Sequence, residues 1–182
     1  MSPLAGMRWN WPVLASAASI IGCAVPVAAN QYLTDAQSLQ VIFGADVSVK
    51  HDNKFLSEEQ RRQLESASGL RFRESSYDFF IVEHQEKLAG YALVLDEIGK
   101  SEPITFMVGM TPEGKVMDVT IMIFRESRGW EVKEPRFLHQ FHNKRASDPV
   151  QIDRDLINYS GATLSSRAIA RGPERTAKRH AA

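Results

Sequence analysis

The sequence predicts an α+β fold: one domain in which short helices flank an antiparallel sheet of about four strands. Three observations carry this reading. Four runs rich in β-branched and aromatic residues follow one another between 77 and 124, with connections of hairpin size. Two capped helical segments precede them, and another follows a small-residue turn near 160. The chain has 182 residues, 43% hydrophobic and 24% charged, a composition that suits one globular domain and not a disordered chain.

The first segment is read as an address and not as part of the fold. From Trp9 to Ala29 there is no charged residue, Arg8 stands just before the run, and Pro26 interrupts it near its end. A spanning helix needs about 20 strongly apolar residues, and this stretch is rich in Ala and Ser. Val27-Ala28-Ala29 supplies the small residues that a signal peptidase reads, which predicts a signal peptide over 1–29 and a domain over 30–182. Two other readings stay open: an uncleaved membrane anchor, and a lipobox in Ile20-Ile21-Gly22-Cys23 that would make Cys23 a lipid anchor. Each places the domain outside the cytoplasm, in the periplasm or its equivalent.

The domain then reads in order. Thr34–Phe43 is a short helix capped by Thr34 or Asp35 and stopped by Gly44. Ser57-Glu58-Glu59-Gln60 is a capping box opening a second helix to about Ala67, closed by Gly69. Tyr77–Glu83 and Ala89–Leu95 are strands around a polar turn at His84–Lys87; Ile104–Met110 and Lys115–Phe124 are strands around Thr111-Pro112-Glu113-Gly114. Tyr91, Phe106 and Phe124 alternate with polar or small neighbours and are predicted core. A loop over Arg125–Glu134 leads to an amphipathic helix from Pro135 to about His142, then to a polar segment over Asn143–Val150.

Composition removes most familiar chemistries. The 22 basic residues balance 22 acidic ones, so no net positive field points to nucleic acid. One cysteine cannot form an intrachain disulfide, a four-cysteine zinc site or a CxxCH haem attachment. A Walker A loop, GxGxxG, HExxH and GxSxG are all missing. His139 and His142 share a helix face, but without a third ligand nearby they read as a surface pair. No catalytic residue and no metal ligand is identified.

One segment retains chemical promise. Ser160-Gly161-Ala162-Thr163-Leu164-Ser165-Ser166 begins as a flexible turn and continues as a helix with Thr163 at or next to its cap. At such an end the unpaired N–H groups and the positive dipole favour an anion such as phosphate. Gly161 and Ala162 leave room for a bulky group to approach the backbone. A plain Thr-capped helix accounts for the same residues.

This segment resembles the flavinylation motif of the FMN-binding domain family, which includes peripheral subunits of ion-translocating NADH:quinone reductases and small exported flavoproteins. The order of Gln31-Tyr32-Leu33-Thr34, the Ser57–Gln60 helix, Gly90-Tyr91-Ala92, the Thr111–Gly114 hairpin and Arg136–Phe141 is similar to the exported branch. The resemblance implies FMN joined to Thr163 by a phosphoester bond, installed by a flavin transferase using FAD. It further implies Ser160, Gly161, Ala162, Leu164 and Ser165 as the surrounding cofactor-binding residues, and a motif-bearing core of about 77–171. Glu126, Gly129 and Trp130 would flank the flavin, with Trp130 either a stacking surface or a loop anchor. The implied function is extracytoplasmic electron transfer, as a carrier or redox subunit with a partner protein in the envelope or inner membrane. An envelope binding or assembly module of the same fold without covalent flavin is the competing reading.

Two positions depart from the family pattern. Six residues before the acceptor the family carries an acid; here stands Ile157, with Asn158 beside it and Asp155 two residues earlier. Pro173 is expected to end the last helix, leaving 172–182 as a solvated basic tail with Arg175, Lys178 and Arg179, beyond Arg167 and Arg171. The targeting segment yields its own expectation: the envelope form of the protein begins at Asn30 when its N-terminus is sequenced. A chain beginning at lipid-modified Cys23 would instead establish the anchored form.

Overall fold

A computed structural model describes residues 30–68 and 76–180. The 1–29 segment, its cleavage point, Cys23 and the Gly69 stop lie outside the described residues.

The chain order is β1 (Asn30–Gln31), α1 (Asp35–Phe43), β2 (Ser48–Phe55), α2 (Glu58–Ser68), β3 (Ser76–His84), β4 (Lys87–Ile98), β5 (Pro103–Met110) and β6 (Val116–Phe124). Then come a 3-10 turn at Trp130–Lys133, α3 (Pro135–Leu138), a second 3-10 turn at His139–Phe141 and α4 (Thr163–His180). The strands form one antiparallel sheet in the order β1-β6-β5-β4-β3-β2. The predicted class and hairpins are present, with two more strands than the sequence announced. β2 was hidden because Ser48–Phe55 is largely polar. It is an edge strand whose pairing with β3 supplies the missing drive: His51 stacks on Phe80 at 4.6 Å, and Lys50 reaches Glu83 at 2.7 Å.

Alternation along β5 divides the interior. Ile104, Phe106, Val108 and Met110 face one core, shared with Val119 and Ile121 of β6 and with Ala168, Ile169 and Ala177 of α4. Met107 joins Leu39 and Ile42 of α1, Phe80, Val82 and Met122 on the other face. β5 is therefore buried on both sides, as a central strand must be. Phe106 and Phe124 are core as predicted, whereas Tyr91 is half-buried and stacks on Phe79 at 5.4 Å.

Both predicted caps are present. Thr34 and Gln37 form a reciprocal box at α1, which ends at Gly44 with φ 93°. At α2, Gln60 Oε1 accepts from Ser57 N at 3.0 Å while Ser57 Oγ accepts from Gln60 N at 3.2 Å. The 85–86 turn has φ of 49° and 62°, the left-handed pair that matches the twist of a tight hairpin.

The expected stop at Pro173 is corrected: α4 continues through it to His180. An interior proline costs about 3 kcal/mol in an isolated helix, but tertiary contacts outweigh that here. Gly172, Pro173, Thr176 and Ala177 are buried against the sheet. Arg171 and Arg175, one turn apart, close on the buried Glu97 of β4 at 3.1 and 2.7 Å. Thr176 Oγ1 donates to the Gly172 carbonyl at 2.9 Å. Through 177, at least, the presumed solvated tail is a packed helix.

Gly172 marks the closest approach. A Cβ there would sit 2.2 Å from Phe106 Cε2 and 2.4 Å from Phe106 Cζ, and Phe106 is fully buried with nowhere to move. Helix propensity alone favours Ala over Gly by up to about 1 kcal/mol. Overpacking opposes it, so Gly172→Ala is expected to lower stability by about 1–3 kcal/mol in urea unfolding. An unchanged or higher unfolding midpoint would show that the helix can slide away from the sheet without cost.

Candidate functional site

Three segments converge on the first turn of α4. From α3, the fully buried Phe137 meets Tyr159 edge-on at 6.1 Å, and the Arg136 guanidinium lies 4.5 Å from the Tyr159 ring centre. The Gln140 side chain grips both backbone groups of Ile157: its Oε1 accepts from N at 2.7 Å and its Nε2 donates to O at 3.2 Å. The chain then turns, with Ala162 N donating to Tyr159 O at 3.0 Å. Ala162 is the residue that opens the helix, since its carbonyl accepts from Ser166 N at 2.8 Å. In the loop after β6, Gly129 abuts the same turn: a Cβ on it would lie 2.7 Å from Ser165 Oγ and 3.6 Å from Ala162 Cα.

The predicted residues are thus brought together, in unequal positions. Thr163 is the first helical residue and half-buried, and the N–H groups of this first turn have no carbonyl four residues back within the helix. Gly161 adopts φ 88°, the left-handed region, and nothing lies within 4 Å of where a Cβ would stand. Ser160 is exposed, but Ser165 and Ser166 are buried at 3% and 0% exposure. Of the four hydroxyl residues, Ser160 is thus exposed, Thr163 half-buried and the other two closed off. Leu164 and Trp130 are large apolar side chains left about half exposed, so Trp130 does not anchor its loop in the core.

One partner escaped the sequence reading. Asn158 Nδ2 donates to Thr163 Oγ1 at 2.8 Å, so this hydroxyl bonds an upstream amide instead of capping its own helix. Asn158 Oδ1 is buried without a partner. The signal was an amide five residues before the threonine, which only the turn geometry gives meaning. Ile157, at the position of the family's acid, is exposed, while Asp155 accepts from Gln151 N at 3.2 Å and closes its own loop. His139 and His142 stack at 5.2 Å on the surface.

Glu126 holds the neighbouring connection together. Its carboxylate accepts from the N–H groups of Lys100, Ser101 and Glu102 and from the Ser101 hydroxyl, closing the β4–β5 turn. A Cβ at Gly99 would lie 2.8 Å from Glu126 Oε1 and 3.5 Å from Ser165 Oγ, so the turn, this acid and α4 meet at one place. Burial disfavours the charge, but the donors from Ser101, Glu102 and Lys100 outweigh it and hold the carboxyl below its ordinary value of 4.5. A depressed folded-state pKa stabilises the fold above the unfolded value, and that contribution disappears as pH falls through the folded one. Glu126→Gln is accordingly expected to be less stable than wild type at pH 7, with the gap closing toward pH 3 in denaturant titrations. A gap independent of pH would mean that the loss is one of packing and not of charge.

Residues 99–178 match the family model of the FMN-binding domain, a span that includes every site residue named above and continues past Pro173. The chain is 28% identical over 103 residues to one of the subunits of a proton-translocating ferredoxin:NAD(+) oxidoreductase complex from Clostridium ljungdahlii, covering 52% of this chain and 55% of that protein. It thus spans about half the length of that relative. It also superposes on the crystal structure of NqrC from Shewanella oneidensis with a TM-score of 0.50 and 18% identity, over 79% of this chain and 83% of the other. At that identity the likeness speaks for the fold. Through residues 99–178, the chain is similar to the FMN-binding domain family.

Proposed function

We propose that this chain is an exported flavoprotein that carries FMN on Thr163 through a phosphoester bond and serves extracytoplasmic electron transfer. The observation that carries this reading is the position of Thr163: a half-buried threonine on the first turn of a helix, beside an open left-handed glycine, within the segment matching the family. The residues fit the group. Gly161 leaves free space where a phosphate needs it, and first-turn N–H groups favour its charge. Leu164 and Trp130 present apolar surface of the kind a flavin ring covers.

Attachment needs one phosphoryl transfer. The Thr163 oxygen forms a bond to the FMN phosphorus of FAD, the pyrophosphate bond breaks, AMP leaves, and the hydroxyl proton is released. A separate flavin transferase supplies that chemistry; the side chain bonded to Thr163 Oγ1 is the neutral amide of Asn158. Bound FMN would supply one- and two-electron redox chemistry, and the protein would orient it and tune its potential. Ser165 and Ser166 are shut away by burial, which leaves Ser160 as the rival acceptor.

Export rests on the charge-free Trp9–Ala29 run, with Cys23 as an alternative lipid anchor. No described helix is long and apolar enough to cross a membrane. The relative named as part of an oxidoreductase complex supports a redox partner protein in the envelope. One observation favours the competing binding module without covalent flavin: the usual acid is replaced by an exposed Ile157.

Co-expression with a flavin transferase is expected to raise the intact mass by one FMN less one water. Thr163→Ala should abolish the increment while costing about 0.5–1.5 kcal/mol, the worth of one hydrogen bond. Thr163→Ser should retain partial labelling. Label on the alanine variant would move the attachment to Ser160, and an unlabelled wild type would favour the binding module.

A further inference from the structure

Asn158 is a costly residue for the fold to keep. One end of its amide is buried without a partner, while the other serves only Thr163 Oγ1, at 2.8 Å. A buried polar group that is half satisfied contributes little net stability, because its unpaired oxygen offsets the one bond the amide makes. Stability therefore does not explain the amide.

Its placement does. A threonine hydroxyl can occupy three staggered positions, and the bond from Asn158 selects one of them. Because the oxygen accepts this bond, one lone pair is occupied, and its own proton and second lone pair point elsewhere. Asn158 is itself held from both sides: Gln140 grips the backbone of Ile157, and Tyr159 packs edge-on against Phe137. A rigid path thus runs from α3 to the acceptor oxygen. The amide is also neutral, so it orients the hydroxyl without repelling an incoming phosphate as a carboxylate at that distance would.

We infer that Asn158 is a positioning residue for the modification of Thr163, holding its hydroxyl in the orientation from which it attacks phosphorus. This rests on the attachment proposed above. In that transfer the Thr163 oxygen–phosphorus bond forms, the pyrophosphate bond of FAD breaks, AMP departs and the hydroxyl proton is lost; Asn158 gains and loses nothing.

The test uses the purified unmodified chain, FAD and a flavin transferase, following intact mass against time at several chain concentrations. Asn158→Leu keeps the volume and removes the amide. Its kcat for labelling is expected to fall roughly ten- to hundredfold, the scale of lost positioning. KM for the chain should stay unchanged, and Tm should change little. Asn158→Ala provides the same comparison if the leucine does not fold. Labelling at the wild-type rate overturns the role of Asn158 and leaves the attachment standing. A drop in Tm that accounts for the lost rate also overturns it, assigning the residue to the fold. A wild-type chain that gains no mass overturns the attachment itself, and this inference with it.

Discussion

Seating α4 across the sheet is the constraint on which the rest of the molecule depends. The helix comes close enough for Gly172 to lie directly on the ring of Phe106, and small residues at 168, 170 and 177 continue the contact. At its far end two arginines close on Glu97, whose side chain is 9% exposed. Arg175 is itself well buried, so its pair with Glu97 is little screened, and removing Arg175 would weaken the hold on a buried carboxylate. Arg171, about half exposed, contributes less through charge and adds a hydrogen bond to the Ile98 carbonyl. With the C-terminal half held in this way, the helix start has little freedom, and Thr163 inherits its place.

The other end of the helix is fixed by packing and by polar contacts of two kinds. Glu126 is fully engaged: it takes the backbone N–H groups of a tight turn that would otherwise be left unpaired at the foot of α4. Asn158 is engaged only by half. Burial gives the two residues opposite meanings. A satisfied carboxylate stabilises the fold around it, whereas a half-satisfied amide remains because something other than stability retains it.

Much of the fold was legible. Capping boxes at Thr34 and Ser57, the polar turn at 85–86 and the Pro-Gly hairpin are local signals that act within four residues, and each formed where it was read. β2 and the continuation of α4 were not legible, for one reason. Ser48–Phe55 has the composition of a loop and becomes a strand because β3 offers it a partner, and Pro173 would stop an isolated helix but is outweighed by the sheet beneath. In both places a long-range contact overrides local propensity.

The site divides along the same line. By itself the sequence determined that a helix would start at or next to Thr163 after a small-residue turn, because a flexible glycine followed by helix-compatible residues marks such a boundary locally. Only the tertiary structure decided which of these residues are buried, closing off Ser165 and Ser166 while leaving Ser160 exposed and Thr163 half-buried. It also decided that Asn158 would hold the threonine oxygen. That outcome depends on where Gln140 and Phe137 anchor the loop, and those contacts come from a helix some twenty residues upstream, beyond the range of any local pattern.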